Sequence, residues 1–343
     1  MRLNQIQVVG SHNSYHRPPE GRLARLISID AWQYTHLPLD EQFTSQGVRQ
    51  IELDVLADPK GGMYANPVGA VRAGDTFDVP ELLLPGFKTL HVQDLDFQSN
   101  CWTFVSCLET VKGWSDANPG HVPLAILVEV KDEEVPIEVP GFVFTVPLTV
   151  DSELLDALDA EILSVFPSAH IITPDEVRGE HETLEQAILS DGWPTLGASR
   201  GRVIFLLDNG GRIKDEYIEG HPSLRGRVLF TSSGPGEPEA AFIKLNNPVG
   251  SFEQIQDAVA QGFIVRTRAD GDTVEARSGD TTNRDAALAS GAQFVSTDYP
   301  EPDPQFDTGY FVQVPGGMPA ACNPIVAPAD CEATDIEDPL YLQ

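Results

Sequence analysis

Residues 123–131 read PLAILVEVK, apolar without interruption until Glu129 and Lys131 close the run. A strand of this kind has no polar face, so both faces must be covered, as in a parallel sheet sandwiched by helices. A carboxylate at the end of such a strand is costly unless a cation pairs with it. Lys131, two residues on, faces the same side and either holds a phosphate or neutralises Glu129.

The rest of the chain repeats the alternation that a parallel sheet requires. Apolar strand signals stand at 5–11, 48–56, 88–93, 203–209, 228–233, 241–246, 263–270 and 292–300, with helical patterns between them. A helix around 103–114 and an amphipathic one over 151–166, opened by Asp151 as its N-cap, are the clearest of these. Together with 123–131 this makes nine strand candidates for eight places, and 241–246 (AFIKLN) is set aside as an excursion. Strand–helix alternation with no central linker or repeat predicts α/β architecture, a single TIM-type (β/α)8 barrel. The barrel is assigned to residues 1–305, and a disulfide-stapled tail, 306–343, packs on it. A chain of 343 residues with 41% hydrophobic content can bury a core of that size, and no segment approaches the length of a membrane span.

In such a barrel the chemistry sits where strands end. The first strand runs into a turn carrying Ser11, His12, Asn13, Ser14, Tyr15 and His16. Histidine and asparagine also occupy turns for capping alone, but later strands end in the same manner. In 48–56 (VRQIELDVL), period two puts Glu52 and Asp54 on one face; the alternative buried row is Ile51, Leu53 and Val55. Two acids facing inward repel unless something positive lies between them, and a metal ion is an economical answer. The Gly- and Pro-rich stretch 57–87 is long for a connection and predicts part of the active-site rim. His91, Glu129, Lys131, Asp208, Arg266, Arg268 and Asp298 follow at later strand ends. His121 precedes its strand, on the opposite face, and reads as structural. Asparagine with three carboxylates forms a hard oxygen set, suited to Ca2+ or Mg2+ rather than zinc. Two histidines beside such an ion suit transfer at phosphorus.

Charge narrows the partners. Lys and Arg total 22 against 52 Asp and Glu, a net charge of −30. That balance excludes nucleic acid and repels anionic membranes unless cations intervene. A salt- or cation-rich habitat explains the acidity without a functional role. The four cysteines fall in two close pairs, Cys101/Cys107 and Cys322/Cys331, with no zinc-site spacing. Two local disulfides suit a secreted or periplasmic protein. Within one helix the first pair would stand about 9 Å apart, so Cys101 is expected in the loop before it. No charged-plus-apolar leader precedes the first strand, which reads as a trimmed, mature form.

GSHNSYH, then RQIELDV, then a lone histidine, then LAILVEVK resembles the phosphatidylinositol-specific phospholipase C superfamily, in its bacterial calcium-dependent branch. VRTRAD and VSTDYP near the end are similar to it as well, so the likeness spans roughly residues 5–300. The resemblance implies that His12 stabilises a pentavalent phosphorus centre and that His91 is the general acid. It implies that Asn13, Glu52, Asp54 and Glu129 bind one Ca2+, with Glu52 or Glu129 taking the proton from the attacking hydroxyl. The reaction implied is attack of an inositol 2-hydroxyl on its own phosphodiester, giving a cyclic phosphate. Lys131, Arg266 and Arg268 are the candidates for holding substrate phosphate. Few other bases appear at strand ends, which favours unphosphorylated phosphatidylinositol or a soluble phosphodiester. An apolar, Pro-broken loop at 139–148 (VPGFVFTVPL) either packs or makes transient lipid contact. A monomer is expected. The alternatives are a glycerophosphodiester or sphingomyelinase-D-like phosphodiesterase, which commonly opens with His-Arg where this chain has His12-Asn13, and a non-catalytic calcium-binding barrel.

Overall fold

A computed structural model describes residues 1–27, 29–135 and 142–337. Its strands are β1 (Ile6–Ser11), β2 (Gln50–Leu56), β3 (Lys88–Thr89), β4 (Leu124–Lys131), β5 (Val203–Leu207), β6 (Leu229–Thr231), β7 (Phe242–Lys244), β8 (Ile264–Arg268), β9 (Phe294–Thr297) and β10 (Ala320–Cys322). Eight of them run parallel in the order β6-β5-β4-β2-β1-β9-β8-β7, and a bridge from Ser232 to Phe242 joins the two ends. The result is a nearly closed (β/α)8 barrel.

The barrel's membership departs from the sequence reading at two places. AFIKLN is no excursion: Phe242–Lys244 is β7, paired along its length with β8. The surplus candidate is KTLHVQ, of which only Lys88 and Thr89 form a strand, antiparallel to the end of β2. The long 57–87 connection returns the chain to the mouth pointing backwards, so this segment cannot enter a parallel ring. His91 therefore stands on a bend beyond β3 and not at the end of a barrel strand.

Register explains the acids at the mouth. β2 and β4 pair over seven positions, with Asp54 opposite Glu129 and Leu56 opposite Lys131. Side chains at matched positions share a face, so Glu52, Asp54, Glu129 and Lys131 all turn inward. Ile51, Leu53 and Val55 turn outward into the main core, so both rows of β2 are buried.

Helices cover the outside. In Phe104–Ala117, Phe104, Cys107, Leu108 and Val111 face the core at helical spacing, and Thr103 caps the N-terminus through Ser106. Asp151 caps the helix Ser152–Val165 by accepting from the Leu154 amide. Cys101 lies ahead of its helix and bonds Cys107 with 5.3 Å between Cα atoms; Cys322 and Cys331 form the second disulfide. β10 pairs antiparallel with β1. Farther along the tail, Glu337 binds Arg49 at the start of β2 and the Val122 amide just before β4. Among the described residues no helix is long and apolar enough to cross a membrane.

Candidate active site

The turn after β1 is built by its own polar side chains. Ser14 Oγ accepts from the Glu52 amide at 2.8 Å, and the Glu52 carbonyl accepts from the Ser14 amide at 2.9 Å. This locks the turn to β2 and holds Asn13 in a left-handed conformation, φ 44°, which asparagine tolerates better than most residues. His12 projects over the mouth. Its Nδ1 lies 2.8 Å from Asp298 Oδ1, while Arg268 Nη1 lies 3.3 Å from its Nε2. Arginine only donates, so Nε2 must be an acceptor and Nδ1 carries the proton. Burial, then the charge of Arg268, pushes the imidazole well below its ordinary range. Burial alone would raise the Asp298 carboxyl; His12 and Arg268 outweigh it and hold Asp298 below the usual carboxylate range.

The acids come together as the register demands. Glu52, Asp54 and Glu129 each offer an oxygen within 4.8 Å of the others. Burial pushes Glu52 up to about 8, against the opposing charge of Arg266. Burial and the neighbouring Asp54 push Glu129 up to about 7. Arg266 is buried and bound to Glu52, to Asn246 Oδ1 at 2.7 Å and to Ser296 Oγ at 3.1 Å. Lys131 Nζ stands 2.8 Å from Asp54 Oδ2 and 3.6 Å from Glu129 Oε2. Asp208 pairs with Lys244.

The same cluster meets a test for metal fit. Asn13 donates to the Tyr34 hydroxyl at 3.0 Å, but its buried Oδ1 has no partner among the described residues, nor does Asp54 Oδ1. Buried acceptors left bare are rare. Unpartnered oxygens on an asparagine and an aspartate, beside two glutamates, make a donor set that a hard divalent cation would satisfy.

His91 sits across the site. Its Nδ1 lies 2.6 Å from Asp96 Oδ2, and the same oxygen meets His16 Nε2 at 2.8 Å. The His16 ring stacks on Tyr34 with centroids 4.1 Å apart and meets His91 edge-on at 5.5 Å. Trp32 also meets His91 edge-on, and with Tyr34, Ile27 and Ile29 it lines a cavity of about 480 Å³. Of the 139–148 loop, residues 139–141 lie outside the described residues. Its remainder is tied to the His91 loop by the Thr145 amide on Asp94 Oδ2, yet leaves Val143 84% exposed.

Every sequence-picked residue therefore reaches the mouth, but Lys131, Arg266 and Arg268 all arrive already paired with carboxylates. Asp298 was visible as a strand end. His16 stands in the polar turn that the sequence singles out but has no role assigned there, and Asp96 and Tyr34 carry no signal that would find them.

The family model for Ca2+-dependent phosphoinositide phospholipase C matches residues 1–324. The chain belongs to that family. A search of curated proteins finds no match. Among solved structures, a calcium-dependent phosphoinositol-specific phospholipase C from Pseudomonas sp. is 17% identical with TM-score 0.56, over 94% of this chain and 95% of its own. The Ca2+-dependent phosphatidylinositol-specific phospholipase C of Streptomyces antibioticus is 17% identical with TM-score 0.54, over 88% and 95%. Both share the fold. Membership makes this phospholipase C-like chain a phosphodiesterase of a family described as Ca2+-dependent, and its acidic cluster is one that could bind a metal.

Proposed function

We propose that this enzyme cleaves the phosphodiester of phosphatidylinositol, or of a related inositol phosphodiester, by attack of the inositol 2-hydroxyl with the help of one calcium ion. The observation that carries the reading is His12, aimed by Asp298 and with Nε2 3.8 Å from Glu52 of a three-carboxylate cluster, together with a second carboxylate-aimed histidine, His91 on Asp96. Asn13, Glu52, Asp54 and Glu129 would hold the ion. Calcium bound there supplies positive charge that lowers the pKa of the attacking hydroxyl and neutralises a phosphate oxygen.

The protein's own groups divide the proton work. Neutral His12, with Nδ1–H on Asp298, presents Nε2 as an acceptor, which makes it better placed to receive the hydroxyl proton than Glu52, held on Arg266. This shifts the family-derived role of His12 from stabilising the phosphorus centre toward proton acceptance. Arg268, next to Nε2, is the cation best placed to face a phosphate oxygen as charge develops. His91, held through Nδ1, keeps its other nitrogen for protonating the leaving alcohol. The cavity beside Trp32, lined by Ile27 and Ile29 but also by Gln33, Asp303 and Gln305, lies on that side. The Pseudomonas relative has been solved in complex with myo-inositol, which agrees with an inositol head group. Two disulfides agree with an exported protein.

The test follows phosphorus NMR of phosphatidylinositol and glycerophosphoinositol incubated with enzyme, in calcium or in chelator, beside His12→Ala. A cyclic phosphodiester signal that requires both calcium and His12, with the variant slower by about 10²–10⁴-fold, is expected. Turnover that ignores chelation removes calcium from the mechanism. No turnover of either substrate overturns the assignment.

A further inference from the structure

Of the two cations that neutralise the acidic cluster, one is fixed and one can leave. Arg266 is 1% exposed and bonded to three partners, Glu52, Asn246 and Ser296, so removing it would strip a buried network. Lys131 differs. Its side chain is 20% exposed while Asp54 is fully buried, and among the described residues its ammonium meets only Asp54 and Glu129. A lysine stem is flexible and its head group readily hydrated, so the ammonium can swing outward without breaking backbone structure.

The contested oxygens are those of the metal site. Calcium sits about 2.3–2.6 Å from its oxygen ligands. Lys131 Nζ, 2.8 Å from Asp54 Oδ2, fills the space an ion on that oxygen needs. The strand register puts the ammonium within reach of those oxygens, because Lys131 follows Glu129 on the same inward row and lies one step beyond the Asp54–Glu129 pair. Asp54 and Glu129 together outweigh burial and keep the lysine charged.

We propose that Lys131 is a built-in competitor for calcium: its ammonium occupies Asp54 and Glu129 when calcium is scarce and must retreat to solvent when the ion binds. The inference rests on the calcium reading above. Apparent affinity then equals the intrinsic affinity scaled by the fraction of molecules with Lys131 withdrawn, so the residue sets a calcium threshold below which the site is filled by its own chain.

Two measurements test this without reference to turnover. The first is calorimetric titration of calcium into the wild-type protein and Lys131→Met, which should bind at least about tenfold more tightly. The second uses the wild type alone: reductive dimethylation followed by mass spectrometry, with exposed Lys60 as the internal reference. Calcium should speed modification of Lys131 several-fold and leave Lys60 unchanged; a mere field effect of the lysine charge would not expose it. Equal calcium affinity in the two proteins, or calcium-independent labelling of Lys131, overturns the competitor while leaving the metal site standing. Failure of both proteins to bind calcium overturns the metal reading itself. The labelling result stands even if Lys131→Met, with its acids unpaired, folds poorly.

Discussion

Carboxylates aim the two histidines of the site, and His121, on the opposite face of the barrel, shows a buried imidazole hydrogen-bonded to none. His121, just before β4, is wholly buried; Nδ1 donates to the Val122 carbonyl at 2.5 Å and Nε2 accepts from Ser115 Oγ at 2.7 Å. The neutral ring satisfies both neighbours, and burial, acting first, pushes the group down to about 4. A folded value below the unfolded one means that the unfolded chain binds the extra proton. The contribution is complete above about pH 6.5 and is lost as pH falls toward 4. Between pH 7 and 4.5 the unfolding free energy read from urea titrations should fall less in His121→Gln than in the wild type, by about 2 kcal/mol. Parallel losses in the two proteins would show that His121 is not among the groups taking up protons.

At the level of elements, the legible parts were those written into a period. The unbroken apolar run of β4 and the two-residue alternation of β2 led to a parallel barrel and to Glu52, Asp54 and Glu129 as inward acids, and the Asp54–Glu129 register bears this out. The cysteine spacing placed Cys101 outside its helix, as observed. β7 was misjudged because three residues, Phe242–Lys244, are too few to show a period, and its membership depends on β8 beside it. KTLHVQ looked more strand-like than it is because chain direction leaves no mark on composition. The aiming of His91 was beyond reach for a related reason. Asp96 turns back onto it only through a bend in which Asp94 has φ 72° and the Asp96 amide donates to the Val92 carbonyl at 2.9 Å. The Lys131–Glu129 pair is legible within one strand, but the bonds from Lys131 to Asp54, from Arg266 to Glu52 and from Arg268 to Asp298 run between strands, so sequence does not show those engagements.

The whole molecule carries −30, and its substrate class is also anionic. Approach to an anionic lipid surface is then opposed by long-range repulsion, screened over about 30 Å at 0.01 M salt and about 8 Å at 0.15 M. With calcium held saturating, the rate on phosphatidylinositol vesicles should rise several-fold across that range, while the rate on soluble glycerophosphoinositol changes little. A lipid rate that falls with salt would contradict this electrostatic account. The ring of strands has its own asymmetry. β2 and β4 are joined over seven register pairs, but β6 and β7 meet at the Ser232–Phe242 bridge, reinforced by the Ser233 amide on the Phe242 carbonyl at 3.0 Å. Asp208 and Lys244 clasp the same side from β5 to β7, over the end of β6. A hoop gives way first at its thinnest joint, so thermal breathing should concentrate there. The Ser233 and Lys244 amides should trade hydrogen for deuterium well before those of β2 and β4, and uniform protection around the ring would count against it. Water would then enter from the β6–β7 side while the strands that carry the acids remain paired, so this barrel can loosen without dismantling its site.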